Sequence, residues 1–339
     1  MKVFVYNYRG DEDIYFQKFE KIYDLEIVRT DCSPTIDTCH LAAGCDALSV
    51  ITETPITAEM MKQYKEMGIR FISTRTIGYE HMDQAAAARE GIVLANVAYS
   101  PSSVADYAIM LMLMVLRKTK SIQSRSAAQD YTLAGHCGRE LPNLSVGIIG
   151  AGKIGATVAR HLSGFGCKIY AYDKLPNTAL SEVTSGAGTP LVEYVDLDTL
   201  YARSDIITLH VPSTPENQNM INRESISKMK DGVTLINTAR GDLIQTDDLI
   251  EALESGKLYG AALDVIDGDR LIYYRDKKME IVGHRQMAIL NAMPNVLLMP
   301  HTAFYTEQAV SDMVEHSLES CRLFADGKTA YPDNPWILH

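Results

Sequence analysis

Short apolar runs recur along the chain, separated by amphipathic stretches, and this alternation predicts its elements. Val3–Tyr6, Ala47–Ile51, Phe71–Thr74 and Val93–Asn96 read as strands in the first hundred residues, with helical spacing over Asp13–Tyr23 and Thr57–Met67 between them. A second series follows: Ser145–Ile149, Lys168–Tyr172, Ile206–His210, Thr234–Asn237, Ala261–Val265 and Val296–Met299. Strands that are apolar throughout and alternate with helices belong to parallel sheets covered on both faces, so the class is α/β. Helical spacing returns over Glu307–Phe324, ahead of a Pro-containing tail with the single tryptophan, Trp336, which is expected to pack that tail down.

The pattern breaks twice. At Tyr99-Ser100-Pro101 a capping serine and a first-turn proline open a helix that is apolar around nearly its whole circumference from Val104 to Leu116. Such a helix is buried on more than one side, as a central core helix or as one that also packs against a second subunit. After Pro300 the helical tail begins. The expected division is therefore residues 1–100 with 301–339 as one discontinuous domain and 101–300 as the other.

Length fits this division, since 339 residues make about two domains at roughly 150 residues each. Acidic residues exceed basic ones by 43 − 32 = 11, which leaves no cationic surface on balance for nucleic acid. The longest apolar run, Tyr107–Leu116, has 10 residues and is too short to span a bilayer. Six cysteines lie scattered without a Cys-x-x-Cys pair, so neither a metal cage nor a disulfide framework is expected, and a cytoplasmic location is.

Three constellations carry chemistry. Gly150-Ala151-Gly152-Lys153-Ile154-Gly155 follows a strand and opens a helix, and Asp173 ends the next strand 18 residues beyond Gly155. Glycines there permit the turn, the approach of a diphosphate and close helix–strand packing, while the acid accepts ribose hydroxyls and disfavours a 2′-phosphate. The expectation is a Rossmann-like domain binding NAD, with His210, before Val211-Pro212, lining the cofactor cleft. Asn237-Thr238-Ala239-Arg240-Gly241 ends another strand, where Arg240 is placed to hold an anion or to serve as a surface ion-pair partner. Pro300-His301-Thr302-Ala303-Phe304 follows the last strand, and histidine is the side chain best suited to exchange a proton near neutral pH.

Together with Ser73-Thr74-Arg75-Thr76-Ile77-Gly78 and Tyr99-Ser100-Pro101, this ordered series resembles the D-isomer-specific 2-hydroxyacid dehydrogenases, and within them the D-lactate dehydrogenase group including the vancomycin-resistance type. The resemblance covers nearly the whole chain. It implies two Rossmann-like domains with parallel sheets, a homodimer through the NAD-binding domain, and reduction of a small 2-oxo acid to an (R)-2-hydroxy acid. Pyruvate is the first expectation; branched or aromatic 2-oxo acids such as 2-oxoisocaproate and phenylpyruvate are the alternative. An NADH-sensing corepressor-like binding protein is the non-enzyme reading of the same fold. The resemblance makes Arg240 the group that binds the substrate carboxylate and polarises the carbonyl, and His301 the acid/base. Ile77 and Gly78 offer backbone N–H groups to that carboxylate, with Tyr99 and Phe304 as apolar walls. Gly152, Lys153, Ile154, Asp173, Val211, Pro212, Asn217, Thr238, Ala239, Arg240 and Asp264 fall on cofactor-contacting positions.

Two positions depart from the family pattern. Its orienting glutamate falls on Asp269, 29 residues after Arg240 and 32 before His301. Aspartate is shorter by one carbon–carbon bond, about 1.5 Å, so Asp264 and Asp267 stay open as alternatives. A carboxylate bonded to the imidazole would raise its pKa. Where the D-lactate enzymes often carry an aromatic residue, this chain has Ile51, followed by Thr52 and Glu53.

Overall fold

Ser145–Ile149 and Val233–Asn237 bury every residue, as strands covered on both faces must. The computed structural model describes residues 1–52, 54–177, 180, 190 and 192–338; Glu53 lies outside them. The chain divides into two units, Met1–Ser100 with Tyr305–His339, and Pro101–Phe304. Residues 301–304, placed with the first domain by sequence, thus belong to the second unit.

In the first unit, β1 (Lys2–Val5), β2 (Glu26–Arg29), β3 (Ala47–Val50), β4 (Phe71–Thr74) and β5 (Val93–Ala95) form a parallel sheet in the order β2-β1-β3-β4-β5. Period-two alternation sends Phe4 and Tyr6 toward Met60, Met61 and Tyr64 of one helix. Val3 and Val5 face the opposite way, onto Phe16, Phe19, Val314 and Leu318. The C-terminal helix Glu307–Ala325 thereby closes this unit. Trp336 pins the tail, its ring stacked on His316 at 4.1 Å and its Nε1 donating to Glu319 Oε2 at 2.9 Å.

The second unit carries β6 (Ser145–Ile149), β7 (Lys168–Tyr172), β8 (Val192–Tyr194), β9 (Ile206–Leu209), β10 (Val233–Asn237), β11 (Leu258–Leu263) and β12 (Val296–Leu298). They form a parallel sheet in the order β12-β11-β10-β9-β6-β7-β8. Strand order reverses between β6 and β9, and the crevice beyond the carboxyl ends at such a point is where open α/β sheets bind ligands. On one face Val146, Ile148, Ile236 and Ala262 pack with Ala105, Ala108, Met112 and Val115 of the helix Ser102–Leu116 and with Val158 of the helix Lys153–Leu162. On the other, Ile207, Leu209 and Leu235 pack with Ile226, Leu249 and Leu253.

Several elements differ from those the pattern predicts, most of them by one residue at an end. Strands β2 and β8 are additional, and β11 begins at Leu258 rather than Ala261. Pro101 rather than Ser100 precedes the apolar helix, while the Ser100 N–H donates to Asp312 Oδ2 at 2.8 Å. Among the described residues no helix is long and apolar enough to cross a membrane.

Candidate active site

The glycine loop is set by close packing. A Cβ on Gly155 would lie 1.9 Å from the Gly150 carbonyl oxygen, so the helix can approach its strand only without one. Gly152, by contrast, faces open space: a Cβ there would meet nothing within 4 Å. Asp173 at the end of β7 accepts the Ala151 N–H at 2.6 Å through Oδ2 and the Leu175 N–H at 2.9 Å through Oδ1. Lys153, Arg160, Asn177 and Pro101 join Gly152 and Asp173 around a pocket of about 480 Å³. A helix N-terminus whose first N–H groups have no partner among the described residues, two cations and a carboxylate around open volume fits a dinucleotide's diphosphate and ribose. Arg160, the third-last residue of its helix, carries no motif signal in the sequence.

Across the switch point the His210 N–H donates to Ile149 O at 2.8 Å, and its Nε2 pairs with Thr208 Oγ1 at 2.9 Å. Burial pushes the His210 imidazole down to about 4, so it is neutral near pH 7. Asn217 caps the next loop, its Nδ2 donating to Pro212 O at 3.0 Å. The Thr238 hydroxyl is buried without a hydrogen-bond partner among the described residues.

Asn237 shapes the Arg240 turn. Its Oδ1 accepts the Ala239 N–H at 3.0 Å and its Nδ2 donates to the Arg240 carbonyl at 2.7 Å, an arrangement for which asparagine at a strand end is suited. A Cβ on Gly241 would stand 2.1 Å from the Ile266 carbonyl carbon, so the turn carrying Arg240 lies directly on the 266–267 backbone.

Asp264 is fully buried and organises the histidine segment. Its Oδ1 accepts the Thr302 N–H and its Oδ2 the Ala303 N–H, both at 2.9 Å, while its carbonyl accepts the His301 N–H at 2.9 Å. Thr302 Oγ1 also pairs with Tyr107 Oη at 2.9 Å. His301 is held at φ 56°, a left-handed conformation costly for a residue with a Cβ. Burial, and after it the Arg240 charge, push its imidazole down to about 4. Asp269 Oδ2 accepts the Ile266 N–H at 3.2 Å, and no hydrogen bond joins Asp269 to the His301 ring. Burial raises the Asp269 carboxyl as well. The Asp267 side chain is exposed, while its carbonyl oxygen takes His284 Nε2 at 2.7 Å. Phe304 meets the imidazole edge-on at 6.2 Å between ring centroids.

In the first unit, the loop after β4 hangs from Arg75. This fully buried guanidinium bonds Glu12 at 3.1 Å, Ser49 O at 3.0 Å and Tyr6 O at 3.1 Å, and Glu12 is equally buried. Asn96 Nδ2 donates to Ile77 O at 2.8 Å and Thr76 Oγ1 to Gly78 O at 2.5 Å. Both carbonyls are tied back, and neither the Ile77 nor the Gly78 N–H has a protein acceptor among the described residues. The two N–H groups are thereby available to an anion. Tyr99 lies half-buried near the end of the same unit's first segment.

The family model described as D-isomer specific 2-hydroxyacid dehydrogenase, NAD binding domain, matches residues 109–303. The chain is 43% identical over 303 residues to the D-specific alpha-keto acid dehydrogenase of Enterococcus faecalis, covering 89% of this chain and 90% of that one. It is 40% identical to the aromatic 2-oxoacid reductase of Clostridium sporogenes over 96% of each. Its fold is similar to the crystal structure of D-lactate dehydrogenase with NAD+ from Lactobacillus jensenii, with a TM-score of 0.84, 29% identity and 100% of each chain covered.

Asp264→Asn keeps one acceptor and turns an NH2 toward the other backbone N–H. The expected cost is about 1–3 kcal/mol of stability, read as a lowered denaturation midpoint. Asp267→Asn, on an exposed side chain, should stay within about 0.5 kcal/mol of the parent. Equal midpoints for the two variants would contradict the clamp.

Proposed function

Since the chain belongs to the D-isomer-specific 2-hydroxyacid dehydrogenase family, we propose that it reduces a small 2-oxo acid to the (R)-2-hydroxy acid with NADH, pyruvate to D-lactate being the first choice. The observation that carries this reading is the joint presence, at the carboxyl ends of one parallel sheet, of the Gly150–Gly155 cradle, the Arg240 turn and the clamped His301. Bound NADH supplies the hydride for the carbonyl carbon. Arg240 holds the substrate carboxylate and presents fixed positive charge as the carbonyl oxygen becomes an alkoxide. His301 gives that oxygen its proton and takes one back in the reverse direction. In the first unit the N–H groups of Ile77 and Gly78 are donors for a carboxylate, with Tyr99 as an apolar neighbour. The expected orienting acid, Asp269, has its hydrogen bond on the Ile266 N–H instead of the His301 ring. The cofactor-contacting set is Gly150, Gly152, Lys153, Ile154, Gly155, Asp173, His210, Val211, Pro212, Asn217, Thr238 and Ala239, with Asp264 acting through the His301 segment.

The aromatic 2-oxoacid reductase among the relatives supports a second reading, in which a larger side chain is preferred. NADH oxidation followed in parallel with pyruvate, 2-oxoisocaproate and phenylpyruvate separates the two. The highest kcat/KM is expected for pyruvate, with D-lactate as product. A preference for phenylpyruvate would favour the second reading, and no turnover with any of them would contradict both. NADH should exceed NADPH by at least roughly tenfold in kcat/KM, about 1.4 kcal/mol, and Asp173→Ala should narrow that ratio. A ratio near one in the parent would refute the role given to Asp173.

We also read the protein as a cytoplasmic homodimer. Six free cysteines support a reducing compartment. The dimer is supported by the helix Ser102–Leu116, apolar on nearly all sides yet presenting Met110 to the surface, and by the exposed Tyr131 and Leu133 in the same unit. Light scattering should give twice the 37.6 kDa chain mass at micromolar concentration; a mass of one chain would refute the dimer.

A further inference from the structure

The imidazole of His301 has no hydrogen bond from either ring nitrogen to another described residue, its shorter-than-usual acidic neighbour Asp269 included. Asp269 is bonded to the Ile266 N–H, and Asp264 uses both oxygens on the Thr302 and Ala303 N–H groups. Orientation of the ring must come from elsewhere. Two features supply it. Tyr274 Oη donates to the His301 carbonyl oxygen at 2.8 Å, so the residue is gripped at both ends, its N–H by Asp264 and its carbonyl by Tyr274. The Tyr274 ring also lies along the imidazole, 5.8 Å between centroids at 33°, while Phe304 meets it nearly perpendicular at 6.2 Å and 88°.

The backbone carries a second sign of the same arrangement. His301 and Tyr274 are both left-handed, at φ 56° and 62°. Residues with a Cβ adopt this conformation only where surrounding contacts impose it, and such residues gather at functional sites. Here the two stand 27 positions apart in sequence and are joined by one hydrogen bond. Tyr274 nevertheless remains 57% exposed, so it adds little to the core. A half-exposed tyrosine in a left-handed turn, spending its hydroxyl on the backbone of the proton-donating residue, is poorly explained by stability alone.

We propose that Tyr274 is a positioning residue for His301, locking its left-handed backbone through the phenol and setting the plane of its imidazole through the ring. In this chain it takes over orientation that a longer acid at position 269 would provide through the ring nitrogen. The proposal rests on the reading of His301 as the proton donor of 2-oxo acid reduction.

Tyr274→Phe removes the hydroxyl and keeps the ring; Tyr274→Leu removes both. In the full-length enzyme, with the best substrate of the 2-oxo acid panel, Tyr274→Phe should lower kcat roughly 3- to 10-fold, the scale of one hydrogen bond. KM for NADH and for the 2-oxo acid should stay within about twofold, and the melting temperature should not change. The solvent deuterium isotope effect on kcat should increase, because a misaligned donor makes proton transfer more rate-limiting. Tyr274→Leu should lose a further several-fold in kcat. A Tyr274→Phe enzyme with parental kcat and isotope effect would overturn the proposal. So would a loss that follows a fall in melting temperature with the isotope effect unchanged. If the parent enzyme itself reduces no 2-oxo acid, the functional reading fails, and the positioning claim is then decided by imidazole NMR. The His301 ring resonances should move in Tyr274→Phe, and unmoved resonances would overturn it.

Discussion

One buried carboxylate underlies the geometry of this site. Asp264 stands fully buried at the end of β11 and meets no cation among its bonded partners; its two oxygens instead accept consecutive backbone N–H groups of the segment that follows β12. Burial raises its carboxyl, and those two N–H bonds act in the opposite direction. A charge in that position tolerates no slack, because an unmet lone pair in a buried setting is costly. The segment is therefore fixed, and His301, immediately before the two donors, has a left-handed backbone with its N–H on the Asp264 carbonyl. The Arg240 turn is placed by a different constraint, the absence of a Cβ on Gly241, which lets it lie against Ile266 and Asp267, two and three residues beyond Asp264. Cation and imidazole are thus referenced to the same short stretch of backbone.

Much of this was legible in the sequence, for identifiable reasons. Parallel strands buried on both faces leave continuous apolar runs, and the loops at their carboxyl ends are short, so Gly150–Gly155, Arg240 and His301 stand out directly after recognisable strands. The two strands that the pattern does not predict lack that signature. Glu26–Arg29 is a half-exposed edge strand carrying two charges, and Val192–Tyr194 is a three-residue edge strand. The start of β11 was hidden by Gly260, which reads as a strand breaker but sits where a Cβ would meet the Asn295 carbonyl at 2.5 Å.

The roles that sequence did not convey depend on partners distant along the chain. Asp264 could be placed near the cofactor by resemblance, yet its bonds run to residues 38 and 39 positions away. Asn96 ties back the Ile77 carbonyl from 19 positions away, and Tyr274 reaches His301 across 27. No local pattern marks such pairings. The spacing that selected Asp269 was informative about backbone position and silent about the side chain, whose shorter reach leaves it on its own loop at the Ile266 N–H. The electrostatics follow from that difference: with burial and Arg240 acting on His301 and no carboxylate bonded to its ring, the imidazole is pushed down to about 4 rather than upward.

The most direct test is the pH dependence of kcat/KM for 2-oxo acid reduction at saturating NADH, between about pH 5.5 and 9. On the proposed reading of His301 as the proton donor, reduction requires the imidazolium, and a group with a pKa of about 4 carries a proton in a fraction that falls tenfold per pH unit above it. The expected result is a log kcat/KM with a slope near −1 against pH, so that kcat/KM keeps rising as the pH is lowered across the whole range. A plateau extending from pH 5.5 to 7.5, with decline only above it, would contradict the account, because it would mean that a carboxylate stabilises the charged ring after all.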